Sequence, residues 1–163
     1  MKYTIAIHNN TVFVTIAQAG ADSFRDFCKD RNIHCSGYRY TTALTTINGS
    51  EDVVVILRNP HARYRTGIQF LKIGNNLKSA YIDQHTRPYL DLFKNKKIRY
   101  VLFSKLCEYF PLDSDPEVIV PIKNDEYSEH YFNGELNSEL ETYNHIIENN
   151  EELTVEEFNK LWS

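Results

Sequence analysis

One stretch constrains the fold more than any other, because residues 52–57 read Asp-Val-Val-Val-Ile-Leu. A strand that is apolar at consecutive positions has no face to turn toward water, so it is covered on both sides, as in a parallel sheet. Arg58 and Asn59 follow, and then Pro60, which suits the first turn of a helix because its missing N–H would be unpaired there anyway. The segment predicts a buried strand, a short loop and a helix that runs towards Leu71.

The rest of the chain repeats this order of strand, loop and helix. The predicted strands are Lys2–Ile7, Thr11–Ala17, Ile98–Phe103 and Val118–Val120, with an Asn9-Asn10 turn between the first two. The predicted helices are a short one from Ser23 capped by Asp22 or Ser23, the end of one at Tyr89–Phe93, one at Ser138–Glu148 and one that begins at the capping box of Thr154 and Glu157. Residues 33–47 predict only a short extended piece. Strand and helix units around a buried sheet predict an α/β fold.

Length and composition exclude several classes of protein. The 163 residues, 42% hydrophobic and 25% charged, fit one globular domain. The longest apolar runs stop at about five residues, far below the roughly 20 that span a membrane, and the N-terminus lacks the pattern of a signal peptide. We therefore expect a cytoplasmic protein without a membrane partner. The three cysteines form no Cys-x-x-Cys pair and the six histidines no i, i+4 pair, so we expect buried reduced thiols and no metal.

Charge is distributed unevenly along the chain. Residues 1–112 hold 16 Lys and Arg against 8 Asp and Glu, whereas residues 113–163 hold 2 against 14. The basic residues are spread through the first part and are not clustered in one run, which favours a small phosphate-bearing ligand over nucleic acid. We expect a single domain with a basic core and an acidic, partly helical C-terminal extension. That extension is either a solvated face or a cover over the basic part.

Two junctions between a strand and a helix are candidate binding sites. In the first, the strand at Thr11–Ala17 runs into the small residues around Gly20 and then into a helix. Such a loop lets backbone N–H groups converge at a helix N-terminus, which favours a phosphate. The second junction, Arg58–Gly67, places cationic and hydroxyl groups at the carboxyl end of the buried strand. Ligands collect at that edge in open α/β sheets.

Together the two junctions resemble the cofactor-binding signature of sulfotransferases. This P-loop-like α/β family moves a sulfuryl group from 3′-phosphoadenosine 5′-phosphosulfate onto a hydroxyl or amine and releases 3′,5′-adenosine bisphosphate. Residues 58–67 match the family's Arg-x-Pro-x-x-Arg-x-x-Ser-Gly element with Thr for Ser, and residues 17–23 stand where the family has Pro-Lys-small-Gly-small-Thr-Ser. Asp83–Tyr89 and Tyr100–Leu106 resemble its histidine–proline segment and its closing strand, so the resemblance covers about residues 11–110.

The resemblance implies a P-loop-like three-layer sandwich, with a mainly parallel central sheet and helices on both faces. It also implies that Arg58 and Thr66 hold the 3′-phosphate of the cofactor. The loop that would cradle the 5′-phosphosulfate consists of Gln18, Ala19, Gly20, Ala21, Asp22 and Ser23. Sulfuryl transfer also needs a base for the acceptor's proton. His34, expected beside the sulfate end, is the first candidate and His85 the second, and each is otherwise a structural histidine.

Two positions depart from the family pattern and leave an alternative function open. Gln18 replaces the lysine that helps the leaving phosphate depart, and a neutral amide cannot neutralise developing charge. Asp22 replaces the loop threonine, where a carboxylate repels a phosphosulfate unless it turns away to cap the helix. The alternative is a non-catalytic nucleotide-binding or protein-interaction module on the same fold. A kinase-like phosphoryl transferase is disfavoured because the loop lacks the residues of a Walker motif.

The candidate residues also have structural interpretations. Arg58, Arg63 and Arg65 are alternatively surface cations paired with carboxylates of the acidic extension, and Arg63 is alternatively a structural residue that holds the loop after the strand. Thr66 is alternatively an exposed helix residue. Gln18 and Ser23 are alternatively an ordinary turn residue and an ordinary cap residue.

Overall fold

The computed structural model describes residues 2–73, 88–110 and 133–163, and the predicted strand at Val118–Val120 lies outside them. The strands are β1 (Tyr3–His8), β2 (Thr11–Ile16), β3 (Cys35–Tyr38), β4 (Asp52–Leu57), β5 (Arg99–Leu102) and β6 (Glu151–Glu152). The helices are α1 (Ala21–Asp30), α2 (Tyr40–Asn48), α3 (Pro60–Ile73), α4 (Leu106–Tyr109), α5 (Asn133–Asn149) and α6 (Val155–Leu161). Short 3-10 segments lie at Leu90–Phe93 and Phe103–Lys105.

The six strands form one mixed sheet in the order β3-β1-β2-β4-β5-β6. β2, β4, β5 and β6 pair in parallel, whereas β1 is antiparallel to both β2 and β3. β1 is antiparallel to β2 because a tight turn reverses the chain between them. There Asn9 and Asn10 have φ angles of 50° and 64°, the left-handed pair that a tight hairpin turn requires and that asparagine tolerates. The molecule is an α/β protein, and the predicted hairpin is confirmed.

β4 lies inside the sheet and is covered on both faces, as its apolar run predicts. Val53, Val55 and Leu57 belong to one core together with residues of α2 and α5. Val54 and Ile56 belong to a second core together with residues of α1, α4 and α6. Burial of an aliphatic side chain contributes roughly 1.5–3 kcal/mol, so these five account for on the order of 10 kcal/mol of transfer free energy.

The start of α1 differs from the sequence prediction. The helix begins at Ala21, two residues before the predicted start at Ser23. Its N-cap is Gly20, and neither Asp22 nor Ser23 supplies a side-chain cap. Gly20 takes the cap position because its φ of 87° is a left-handed conformation that favours glycine.

α2 occupies Tyr40–Asn48, where the sequence predicted no helix. Threonines lower helix propensity, which hides the helix from a local pattern. In the structure Thr45 donates its hydroxyl to the carbonyl of Thr41 at 3.0 Å, one turn back along the helix. Ala43 and Ile47 are fully buried in the core, so tertiary packing outweighs the local propensity.

The described part of the acidic extension is built into the fold. β6 pairs in parallel with β5, and α6 begins at the predicted capping box, in which Glu157 N donates to Thr154 Oγ1 and Thr154 N donates to a carboxylate oxygen of Glu157. Phe158 on α6 is 1% exposed and packs edge-on against Phe13 and Tyr109. The described part of the extension is therefore more than a solvated face, because Ile146, Leu153 and Phe158 belong to the two cores. Its role as a cover over the basic part stays a prediction.

Truncation of Phe158 tests whether α6 is part of the folding unit. Phe158→Ala leaves a cavity in an aromatic core and should lower the free energy of unfolding by about 3–5 kcal/mol. Glu156→Ala on the same helix removes only an exposed ion pair with Lys160 and should cost less than about 1 kcal/mol. Urea titration followed by circular dichroism measures both, and equal effects of the two variants would contradict the assignment.

Candidate functional site

The two junctions singled out in the sequence lie beside each other at one edge of the sheet. β2 and β4 are neighbouring parallel strands, with Val12 level with Val53 and Val14 level with Val55. The loop of residues 17–20 follows β2, and Arg58-Asn59 follows β4. Because the carboxyl ends of parallel strands meet at the same edge, the two loops converge there.

The loop of residues 17–20 is a tight turn with two left-handed residues. Gln18 has φ of 62° and Gly20 has φ of 87°. The Thr15 hydroxyl donates to the carbonyl of Ala19 at 2.7 Å, which closes the turn onto the end of β2. The φ of Gly20 favours glycine, and a Cβ at this position would lie 3.1 Å from Cδ2 of Leu106, a tight contact from which the leucine side chain would have to shift.

Two buried arginines bind this loop to the second junction. Arg58 Nη1 donates to the carbonyl of Gln18 at 2.8 Å, and Arg63 Nε donates to the carbonyl of Ala17 at 3.0 Å. Both arginines are 3% exposed. The interpretation of Arg58 and Arg63 as surface cations is therefore wrong. Arg63 is a structural residue, but the loop to which its side chain donates is the one after β2, whereas the interpretation concerned the loop after β4.

Aromatic rings cover both guanidinium groups. The Arg58 guanidinium carbon lies 4.2 Å from the centre of the Phe103 ring, and that of Arg63 lies 4.9 Å from the centre of the Tyr89 ring. Burial lowers the pKa of Arg63, although the charges of nearby acidic groups, Glu139 among them, oppose this. Aromatic faces and backbone carbonyls replace part of the hydration that the two cations lose.

Glu139 is the acidic member of this buried cluster. It lies on α5 and is 7% exposed. One carboxylate oxygen accepts hydrogen bonds from the backbone N–H groups of Tyr89 and Leu90, at 3.1 and 2.9 Å. Burial raises the pKa of Glu139, while those two N–H groups and the charge of Arg63 act in the opposite direction. Glu139 thus fixes the 3-10 segment that carries Leu90 against α5.

Three predicted site residues form the first turn of α1. Its first helical hydrogen bond runs from Phe24 N to Gly20 O at 2.9 Å. The N–H groups of Ala21, Asp22 and Ser23 therefore precede the helical ladder, as at every helix N-terminus. The Asp22 carboxylate is exposed and pairs with Arg25 at 2.8 Å. This pairing, and not a helix cap, is how the carboxylate is accommodated.

Thr66 is placed on α3, nearly two turns beyond Pro60. Its side chain is partly exposed, and its hydroxyl donates to the carbonyl of Ala62 at 3.0 Å. The span from Pro60 to Thr66 corresponds to about 9 Å along the helix axis. The role of Thr66 in holding a phosphate stays a prediction.

His34 lies away from the two loops, against the expectation that it sits beside the 5′ end of the cofactor. It is exposed, and its Nε2 is hydrogen bonded with Ser36 Oγ at 2.7 Å. The register of the sheet places the residue after His34 level with Phe13 of β2, through β1. Phe13 precedes the end of β2 by three residues, or about 10 Å along the strand. The second candidate base, His85, lies outside the described residues.

Glu139 and Tyr89 are the members of the cluster that the sequence analysis missed as site residues. Glu139 stood within the predicted helix at Ser138–Glu148 as one of many acidic residues. Its neighbours Leu136 and Ile146 are buried on the same helix, at offsets of three and seven residues from it. This spacing places Glu139 on the buried face of the helix. The spacing is the one feature of the sequence that distinguishes Glu139 from the exposed acidic residues.

Comparison of the chain with protein-family models, with curated proteins and with solved structures gave no match. In the described part of the chain, no helix combines the length and the apolar character that crossing a membrane demands. Within the same ranges, no group of three or more His, Cys, Asp or Glu side chains is placed to hold a metal ion.

Replacement of Arg63 tests the bracing of the loop. Arg63→Met keeps most of the side-chain length but removes the donor to Ala17 O, and should lower the free energy of unfolding by about 1.5–3 kcal/mol. Arg65→Met, two residues on and exposed, is the matched control and should change it by less than about 1 kcal/mol. Thermal unfolding followed by circular dichroism compares the two, and an unchanged Arg63→Met protein would rule out the brace.

The buried carboxyl of Glu139 predicts a pH dependence of stability. Because burial raises its pKa above the 4.5 of an exposed carboxyl, the folded chain binds this proton more tightly than the unfolded chain. This tighter binding of the proton stabilises the folded chain. The stabilisation is complete below the pKa that Glu139 has in the unfolded chain, and it is lost as pH rises through the pKa that Glu139 has in the folded chain. Glu139→Gln keeps the accepting oxygen and does not titrate, so its stability relative to wild type should increase as pH rises above the 4.5 of an exposed carboxyl.

Urea titrations of both proteins at several pH values measure this difference. Glu141→Gln, an exposed position on the same helix α5, serves as the control for the loss of a carboxylate. A pH-independent difference for Glu139→Gln would contradict the prediction.

Proposed function

We propose that this chain is a sulfotransferase-like protein on a P-loop-like α/β fold. It binds 3′-phosphoadenosine 5′-phosphosulfate at the carboxyl edge of β2 and β4, and it transfers the sulfuryl group to a hydroxyl or amine acceptor. The observation that carries the proposal is the contact between the two motifs. Arg58 and Arg63 belong to the segment that resembles one of the family's two cofactor elements. They donate hydrogen bonds to Gln18 and Ala17 of the other segment, across 40 and 46 positions of the chain.

The loop after β2 fits an anionic group in several respects. The N–H groups at the start of α1 carry the partial positive charge of a helix N-terminus. Arg58 and Arg63 add two positive charges directly behind the loop, where burial makes their field less screened than at the surface. Asp22, in the first turn of α1, is the one acidic residue among residues 17–23, and its ion pair with Arg25 reduces its repulsion of an anion.

In this proposal Arg58 acts mainly through the loop. Its guanidinium is buried and donates to Gln18 O, so it fixes the backbone that faces the ligand. Thr66, which is partly exposed, supplies the hydroxyl for the 3′-phosphate. The nucleotide, when bound, supplies an activated sulfuryl group and a phosphate leaving group. The chain contributes positioning and electrostatic stabilisation, since transfer of such a group needs little covalent chemistry from the protein.

The base for the acceptor's proton is assigned to His85 in this proposal. His34 is less suitable because the sheet register separates it from the loop. His85 belongs to the segment that resembles the family's histidine–proline element. An imidazole titrates close to neutral pH, as a general base should.

A non-catalytic nucleotide-binding module is the second candidate. Gln18 favours it, because an amide cannot balance charge on a leaving phosphate. The same loop geometry serves both candidates, since the N–H groups at the start of α1 and the two buried arginines act on a bound nucleotide whether or not it reacts. The two candidates therefore differ in turnover and agree in binding.

Calorimetric titration with 3′,5′-adenosine bisphosphate at moderate salt tests the binding that both candidates require. We expect saturable binding, and weaker binding of adenosine 5′-monophosphate because it lacks the 3′-phosphate. Thr66→Val removes one hydroxyl and should weaken the bisphosphate by roughly 10-fold or more, with little effect on the monophosphate. Arg65→Gln, exposed on the same helix, is the control.

Two results would contradict the site. One is the absence of binding at millimolar bisphosphate, and the other is equal affinity for the two nucleotides in both wild type and Thr66→Val. Arg58→Ala is not a clean probe of phosphate contact, because it removes a buried donor and destabilises the loop as well.

Restoring the loop separates an enzyme from a binding module. Gln18→Lys with Asp22→Thr returns an ammonium group and a hydroxyl, and should raise sulfuryl transfer to a generic phenol or amine acceptor by ~10²–10³. Activity in wild type supports the transferase, and activity only in the double variant supports the binding module. Asp26→Thr, exposed on the same helix beyond the loop, is the control for a change of surface charge.

A further inference from the structure

Two of the three cysteines meet where the end of α1 lies against the edge strand β3. Cys28 is in the last turns of α1 and is fully buried, and Cys35 is the first residue of β3 and is partly buried. Cys35 lies level with Ala6 of β1, and both side chains belong to the core that contains Cys28. The chain between them folds back tightly, because Ile33 N donates to the carbonyl of Cys28 at 2.8 Å.

The partly buried thiol opens onto a basic surface pocket. This pocket has a volume of about 430 Å³, and Cys35 lines it together with Arg25, Lys29, Asn32, Ile33 and His34. Arg25 and Lys29 lie one turn apart on α1, so both cations face the same side. Asp22 pairs with Arg25 at the far end of that side, and none of the described residues that line the pocket is acidic.

The two thiols are not equivalent. A hydrogen bond from Cys28 lowers the pKa of Cys35, with a further contribution from the charge of Arg25, although burial opposes both. The same hydrogen bond, together with burial, raises the pKa of Cys28. One thiol is therefore poised as the nucleophile and the other stays protonated beside it, which is the arrangement of a reactive cysteine with a resolving partner.

We propose that Cys35 is an oxidation site for a hydroperoxide and that Cys28 resolves it to an intramolecular disulfide. The pocket admits the small oxidant, and its cations favour the anionic sulfur. This inference is independent of the proposed sulfuryl transfer, since neither cysteine lies at the loop after β2.

The chemistry balances in two steps. In the first, the Cys35 thiolate attacks one peroxide oxygen, an S–O bond forms, the O–O bond breaks, and the leaving hydroxide takes up a proton as water. In the second, Cys28 loses its proton and attacks the sulfur of the Cys35 sulfenic acid. An S–S bond forms, the S–O bond breaks, and a second water leaves. Two thiols are oxidised and one hydrogen peroxide is reduced to two waters.

The position of β3 makes the second step feasible. Among the strands of the described residues, β3 is at the edge of the sheet and pairs with β1 alone, so it shifts at lower cost than an inner strand. A disulfide would tie the end of α1 to that edge.

The test is oxidation of the reduced chain with stoichiometric hydrogen peroxide, followed by alkylation and peptide mapping by mass spectrometry. In wild type we expect the loss of two hydrogens and a Cys28–Cys35 peptide pair, with Cys107 still alkylated. Cys107 is the exposed cysteine, so a reaction governed by exposure alone would modify it first. Cys107→Ser should behave as wild type.

Three variants complete the test. Cys35→Ser should leave Cys28 reduced, and Cys28→Ala should stop the reaction at a sulfenic acid on Cys35 that a dimedone probe captures. Lys29→Gln with Arg25→Gln should slow the oxidation roughly tenfold, because the thiolate loses its cations. Preferential oxidation of Cys107, over-oxidation of Cys35 in wild type without a disulfide, or a Cys28→Ala protein that dimedone does not label would each overturn the proposal.

Discussion

Two buried guanidinium groups hold the carboxyl edge of the sheet together. Arg58 and Arg63 follow β4, and their side chains donate to the carbonyls of Gln18 and Ala17 in the loop after β2. Burying a cation is costly unless it is hydrogen bonded and partly neutralised. The rings of Phe103 and Tyr89 lie over the two guanidinium groups and help to make this burial tolerable.

Glu139 extends the same arrangement to the C-terminal part of the chain. Its carboxylate binds the N–H groups of Tyr89 and Leu90, and its charge acts on Arg63. Part of the uneven charge along the sequence is therefore explained by contacts inside the fold. At least one carboxylate of the acidic part faces the basic core from inside the fold, while others, such as that of Glu156, face solvent.

Much of the fold could be predicted because it depends on consecutive residues. The apolar run of β4, the Asn9-Asn10 turn and the capping box at Thr154 are each complete within a few positions. The burial of Arg58 and the contacts of Glu139 could not be predicted in this way, since they join segments about 40–50 positions apart. The start of α1 was misplaced because Gly20 caps the helix in a left-handed conformation, with a φ of 87°, whereas Asp22 and Ser23 are residue types that commonly cap helices. The two segments of the candidate site could thus be predicted from the sequence, but the hydrogen bonds between them could not.

The same long-range contacts affect how the chain folds while it is being translated. The loop after β2 receives its two donors only once residues 58 and 63 have left the ribosome, and the segment at Tyr89 receives its acceptor only with Glu139. Chains with many such distant pairings close slowly. A nascent chain of this protein therefore exposes apolar strands such as β4 for much of its translation, and chaperones that bind extended apolar segments would find their targets there.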